Sequence, residues 1–168
     1  MNLFDFAMQM ELEGKKYYEK LKAETPIVGI QKIFSILAAD EQKHYEVLYD
    51  MKLEVEMEMT DSTALEQAKD IFKFLQINEA QLGKLHSKKD AYQQAVRMEA
   101  DSIKLYEDIA RQETENGNLD IVPLVVKIIR EEQEHYNIMQ NIHDYNAAYE
   151  RMIPWREFSA IKEFKSDE

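Results

Sequence analysis

A five-residue frame occurs twice in this chain, as Glu41-Gln42-Lys43-His44-Tyr45 and as Glu132-Gln133-Glu134-His135-Tyr136. In each copy a glutamate stands three residues before a histidine, and on a helix such a pair shares a face, with Cβ atoms about 5–6 Å apart. Both copies interrupt apolar stripes of helical period. Ile30, Phe34, Leu37, Glu41, His44, Leu48 and Met51 follow one another at steps of three and four, as do Val125, Ile128, Glu132, His135, Met139 and Ile142. A fold for this chain therefore has to bury a carboxylate and an imidazole twice, and has to give those groups partners.

Two more helices of the same kind are expected. One spans about residues 2–24, with Leu3, Ala7, Met10, Gly14, Tyr17 and Leu21 as its inward stripe; the other opens with a capping box at Ser87-Lys88-Lys89-Asp90 and carries Ala91, Ala95, Met98, Ser102, Leu105 and Ile109. Thr25 as N-cap and Pro26 at the first helical position divide the first helix from the second. Asn116-Gly117-Asn118 stops the third, Asp120 caps the fourth, and Pro154 closes it. The second and third helices are separated by roughly thirty residues, too many for a tight hairpin, so a crossover along a bundle is expected. In it, Leu53–Met59 reads as a fraying helix end or an extended connection, and Asp61-Ser62-Thr63 as the cap of a short helix from about Ala64 to Leu75. The expected architecture is one all-α domain: a helical hairpin over residues 2–58, a crossover over 59–87, a second hairpin over 88–153 and a C-terminal tail over 154–168 with an apolar thread of Trp155, Phe158, Ile161 and Phe164. Only four glycines and three prolines in 168 residues fit long helices with few turns.

The two halves repeat each other. Shifted by 88, Ala7, Met10, Glu11, Tyr18 and Glu19 fall on Ala95, Met98, Glu99, Tyr106 and Glu107; shifted by 91, the two frames coincide. The repeat nominates Glu11, Glu41, His44, Glu99, Glu132 and His135, with Glu11 and Glu99 beside their stripes and the other four on them. Four carboxylates and two imidazoles at a bundle centre are very unfavourable when ionised and unpaired, and without a cation they share protons. Two divalent metals balance four negative charges. Carboxylate and imidazole without thiolate suit iron or manganese and admit zinc. A glutamate from each of two helices with Glu-x-x-His from the other two is the ligand arrangement of carboxylate-bridged di-iron and di-manganese bundles. Tyr18 and Tyr106, two turns after Glu11 and Glu99, are placed to donate to a carboxylate of the opposite hairpin. Gly14 and Ser102 occupy equivalent places, where small side chains leave room for a small oxidant or serve close helix packing. Glu13 points about 200° away from Glu11 round the helix. Glu131 and Glu134 are read as solvated, and His86 and His143, which have no repeat partner, as surface or structural residues.

The Glu11-to-Tyr18 and Glu99-to-Tyr106 spacing, together with Glu41-x-x-His44 and Glu132-x-x-His135, resembles the ferritin-like superfamily, and within it the rubrerythrin branch, over about residues 2–152. The resemblance implies a ferritin-like four-helix bundle holding two iron ions, with Glu11 and Glu99 as terminal ligands, Glu41 and Glu132 bridging, and His44 and His135 on one metal each. It also implies a non-haem di-iron oxidoreductase that reduces hydrogen peroxide (or oxygen) in oxidative stress, with electrons from a rubredoxin-type donor. This chain lacks the cysteines of a rubredoxin domain, so the donor would be a separate protein. A homodimer is expected by the same resemblance. Rival readings are a ferroxidase or iron-handling protein, a di-iron oxygenase, which needs a pocket for an organic molecule that the sequence does not disclose, and a metal-free structural bundle. A net charge of −12 disfavours nucleic acid and anionic membranes as partners. With no cysteine, disulfides, zinc–thiolate sites, iron–sulfur clusters and thiol nucleophiles are excluded. Neither a signal peptide nor a membrane span is visible, and a cytoplasmic location is expected.

Overall fold

The computed structural model describes residues 3–53, 62–64, 66, 68 and 89–151, the last six by their backbone alone. Among the described residues four long helices carry the fold: α1 (Leu3–Glu24), α2 (Val28–Lys52), α3 (Lys89–Glu115) and α4 (Val122–Arg151). α1 packs on α2, α3 packs on α4, and α1 also meets α3, giving an all-α bundle of two helical hairpins. Of the crossover, Ala64, Glu66 and Ala68 are helical, and Ala64 and Ala68 are buried in the core. The alternating stretch after Leu53, the cap at Asp61, the box residues Ser87 and Lys88, His86, and the tail from Trp155 lie outside the described residues. No described helix is long and apolar enough to cross a membrane.

The helix ends follow local chemistry, with two departures from expectation. α1 stops before Pro26, whose ring disfavours helical geometry at Thr25. α2 then starts later than a Thr25 cap would place it: its N-cap is Ile27, extended at φ −90°, ψ 110°, with no side-chain cap. The reason is burial. Ile27 is 1% exposed, and the chain stays extended long enough to seat it. Thr25 is still served, since its carbonyl accepts from Gln31 Nε2 at 2.8 Å. α4 likewise begins past Asp120, with the Ile121 carbonyl accepting from the Leu124 and Val125 amides at 3.1 Å each. α3 ends as expected: Gly117 has φ +81°, and the Asn118 amide donates back to the Glu113 carbonyl at 2.9 Å. That is the left-handed closure glycine permits.

The inward lines of α1 and α3 are displaced by one residue at alternate turns from the apolar stripes. α1 buries Ala7, Glu11, Gly14, Tyr18 and Leu21, and α3 buries Ala95, Glu99, Ser102, Tyr106 and Ile109. Met10, Tyr17, Met98 and Leu105 lie on the flanks, half-buried. Glu11 and Glu99 are thus on the core line itself, as are the two tyrosines. Hydrophobicity alone favours the flanking residues. The polar ones sit inside because they are one another's partners.

Two apolar clusters close the bundle on either side of its polar middle. One gathers Tyr18, Leu21, Ile30, Phe34, Leu37, Tyr92, Ala95, Ile138 and Ile142, and the other Ala7, Leu48, Met51, Tyr106, Ile109, Val125 and Ile128. In the first, Phe34 lies between Tyr18 and Tyr92, with ring centroids 6.1 Å and 5.9 Å apart. Each ring is almost fully buried. Such pairs contribute about 0.5–1.5 kcal/mol beyond the area they bury.

Candidate metal centre

All six nominated residues meet between these clusters, each no more than 5% exposed. They form two groups, Glu11–Glu41–His44–Glu132 and Glu41–Glu99–Glu132–His135, and within each group one ligand atom per residue lies within 4.8 Å of all the others. Glu41 and Glu132 belong to both. The repeat of the sequence is therefore a repeat in space, with one carboxylate from α2 and one from α4 shared across the middle. The two imidazole rings lie face to face, 5.9 Å apart at 23°.

Several buried atoms at this centre have no hydrogen-bond partner among the described residues: Glu11 Oε2, both oxygens of Glu132, and Nδ1 of His44 and of His135. They are crowded nonetheless. His44 Nδ1 lies 2.7 Å from Glu132 Oε1 and 3.5 Å from Glu11 Oε2, and His135 Nδ1 lies 3.4 Å from Glu41 Oε1, none with hydrogen-bond geometry. Polar atoms converging without hydrogen bonds between them are costly in a core. They become favourable when a cation sits among them. The donor set, two imidazole nitrogens and carboxylate oxygens without sulfur, fits iron or manganese.

The charges are consistent with that. Burial, followed by the field of Glu132, raises Glu41 and Glu99 well above the ordinary carboxylate range. Burial works against charge on His44 and His135 too, but the carboxylates facing them prevail and raise both. Glu132 is the exception: burial opposes its ionisation, yet the two imidazoles hold its carboxyl down to about 2.

The surrounding groups fix the orientation of these six. Tyr18 donates to Glu99 Oε1 and Tyr106 to Glu11 Oε1, each phenol reaching from one hairpin to the other. Burial raises both phenols well above their ordinary value, so each keeps the proton it donates. The imidazoles are held from behind. His44 Nε2 lies 2.9 Å from Glu131 Oε2, and His135 Nε2 lies 3.0 Å from Asp40 Oδ2. Ionised carboxylates only accept, so Nε2 of each ring carries a proton, and Nδ1, which faces inward, is the nitrogen that can bind a metal once its own proton is displaced.

Glu131 corrects the sequence reading. It is 4% exposed, and Asp40, which carries the equivalent role, is 7% exposed. Glu134 is half-buried. Burial opposes charge on Asp40 and Glu131, but His135 and His44 respectively, with Lys43, keep both carboxyls below their ordinary range. Lys43 spans the pair, 3.3 Å from Asp40 Oδ1 and 2.8 Å from Glu131 Oε2. Ser62, from the crossover, spans it again: its hydroxyl donates to Asp40 Oδ2 and its amide to Glu131 Oε1 at 3.0 Å. The two outer carboxylates are thereby joined into one strap behind both histidines. A sequence signal for them existed, because an acidic residue precedes the glutamate in each copy of the frame.

On the opposite side, between α1 and α3, a cleft of about 490 Å³ reaches Glu41, Glu99 and Glu132. Gly14 and Ser102 line it. A Cβ at Gly14 would stand 3.3 Å from Cδ of Glu41, so glycine here allows α1 to press against a shared carboxylate. Glu13 is exposed at the rim of this cleft, and His143 is half-buried away from the centre. A larger pocket lies elsewhere, beside Lys22 and Val28, and reaches only Asp40 and Lys43 of the strap.

Residues 2–143 match the family model described as Rubrerythrin. Comparison with curated proteins and with solved structures yields no match.

Proposed function

The chain belongs to the rubrerythrin family, and we propose that it is a di-iron oxidoreductase reducing peroxide, or oxygen, at the centre between its two hairpins. The observation that carries this reading is the set of inward-facing ligand atoms left without hydrogen-bond partners among the described residues, in a buried, carboxylate-rich cage. Glu11 and Glu99 would each hold one iron, Glu41 and Glu132 would hold both, and His44 and His135 would bind through Nδ1. Two bound ferrous ions would supply the two electrons that a peroxide needs. The protein's part is then positional and electrostatic. Tyr18 and Tyr106 restrain the outer glutamates, Asp40 and Glu131 fix the imidazole tautomers, and the apolar clusters exclude water from both ends. The cleft between α1 and α3 admits the oxidant on the side away from the imidazoles. Electrons for renewed turnover would come from a separate donor protein, and the active species would be a homodimer.

Anaerobic titration with ferrous ion should saturate at two irons per chain. Stopped-flow mixing with hydrogen peroxide should then oxidise the centre faster than mixing with oxygen. Comparable or faster oxidation by oxygen would count against a peroxidase, and uptake of many irons per chain would favour iron storage. The same cleft favours a second reading, an oxygenase, because it provides the organic-sized pocket the sequence did not disclose. Hydroxylated product formed from oxygen would identify it.

A further inference from the structure

The cleft between α1 and α3 is much larger than hydrogen peroxide or oxygen requires. Its volume of about 490 Å³ lies within the range of about 300–1,000 Å³ in which small organic ligands bind. A water molecule takes about 30 Å³ in the liquid, so an oxidant of only two oxygen atoms, with or without hydrogens, would leave most of the space unused. Part of its wall is apolar and adaptable, with Met10, Tyr17, Met98 and Leu105 half-buried along it and Phe6 52% exposed at its rim. Gln9, Gln94 and Ser102 add neutral polar groups. Methionines suit a surface that must accept an irregular hydrocarbon shape. Its floor is the carboxylates Glu41, Glu99 and Glu132, and neither histidine lines it. Among the described residues no lysine or arginine lines it, whereas Glu13 and Asp101 do. An anionic ligand would meet only negative charge there, so the occupant is neutral.

We infer that the oxidant for this site is an organic hydroperoxide, ROOH, with a small neutral aryl or alkyl group seated between α1 and α3 and its peroxide end at the carboxylate floor. This rests on the peroxidase reading above. In the reaction the O–O bond breaks, one electron is taken from each of two ferrous ions and two protons from solvent, and the products are ROH, water and two ferric ions. Burial of the organic group supplies binding that hydrogen peroxide lacks.

The test compares cumene hydroperoxide with hydrogen peroxide, each mixed anaerobically with the diferrous protein. Cumene hydroperoxide should oxidise the centre at least as fast at equal concentration, releasing one 2-phenyl-2-propanol per two irons. Met98→Trp, which fills the cleft, should lower the ratio of the two rates at least tenfold. Binding is read separately from turnover: 2-phenyl-2-propanol with the redox-inert zinc-loaded protein should give saturation-transfer NMR signals on its aryl protons, and Met98→Trp should abolish them. Oxidation by hydrogen peroxide with cumene hydroperoxide a hundredfold slower, or aryl signals absent in the native chain, would overturn the inference and leave the peroxidase standing. An unchanged rate ratio in Met98→Trp would overturn it as well. Failure of both peroxides to oxidise the centre would instead remove the peroxidase reading on which it depends.

Discussion

His44 and His135 each face two kinds of carboxylate, and the difference between them decides what the rings do. Those facing Nδ1 crowd it without hydrogen-bond geometry, while Glu131 and Asp40 accept from Nε2 at 2.9 Å and 3.0 Å. Removing an outer carboxylate should therefore loosen the ring and lower its basicity without touching a ligand. Asp40→Asn and Glu131→Gln are each expected to weaken ferrous affinity by about 10–100-fold, the usual effect of losing such a partner. Anaerobic competition against a ferrous chelator measures it, and unchanged affinity in both variants would show that the strap is structural only. These two residues were within reach of the sequence, since an acid precedes each copy of Glu-Gln-x-His-Tyr. What hid Glu131 was its setting in a run of acids, where solvation is the ordinary outcome. Only the packing of α4 against the crossover and α2 makes it a buried partner of Lys43, Ser62 and His44.

Helices α1 and α3 show how a helix can present polar residues to a core. Along α1 the buried line runs Ala7, Glu11, Gly14, Tyr18, Leu21, and Gly14 lies against Glu41 of α2. Glycine in a helix interior costs about 1 kcal/mol relative to alanine, so its presence at this position has a spatial reason. Gly14→Ala would bring a Cβ to 3.3 Å from Glu41 Cδ, and the carboxylate would have to shift by a few tenths of an ångström. The expected result is a several-fold loss of ferrous affinity, while the unfolding midpoint of the metal-stripped chain does not fall. Chelator competition and thermal unfolding followed by circular dichroism separate the two effects. A lower midpoint with unchanged affinity would reverse the assignment of this glycine to the site.

Across the whole molecule, the centre ties stability to pH and to metal. Glu41 and Glu99 are raised well above their ordinary 4.5, and His44 and His135 are raised above 6.5. Once pH passes those ordinary values, the folded, metal-stripped chain keeps protons that the unfolded chain has released. Its stability therefore falls as pH rises, from above 4.5 for the glutamates and from above 6.5 for the histidines. Glu132 acts oppositely: lowered to about 2, it contributes stability that is present above 4.5 and lost as pH falls through its folded value. Metal loading has to displace the retained protons, so binding should release protons near neutrality and tighten with rising pH. The metal-stripped protein should thus unfold at a lower temperature at about pH 8 than at about pH 5.5, and the gap between loaded and stripped protein should widen. A stripped-chain midpoint that rises over this interval would contradict the proton assignment.

The doubled frame, the helical periods and the 88- and 91-residue shifts were enough, without coordinates, to determine a bundle of two like hairpins and the six residues at its middle. These features are legible because they are local or periodic, and because a polar residue repeated on an apolar line has to be accommodated. Contacts between segments distant in sequence were decided only by the tertiary structure: the line of α1 and α3 that turns inward, the strap of Asp40, Glu131, Lys43 and Ser62, and the cleft above the shared carboxylates. Each depends on which groups meet across the bundle. Apart from Asp40 and Lys43, three residues apart on α2, no window along a single helix contains both members of such a pair.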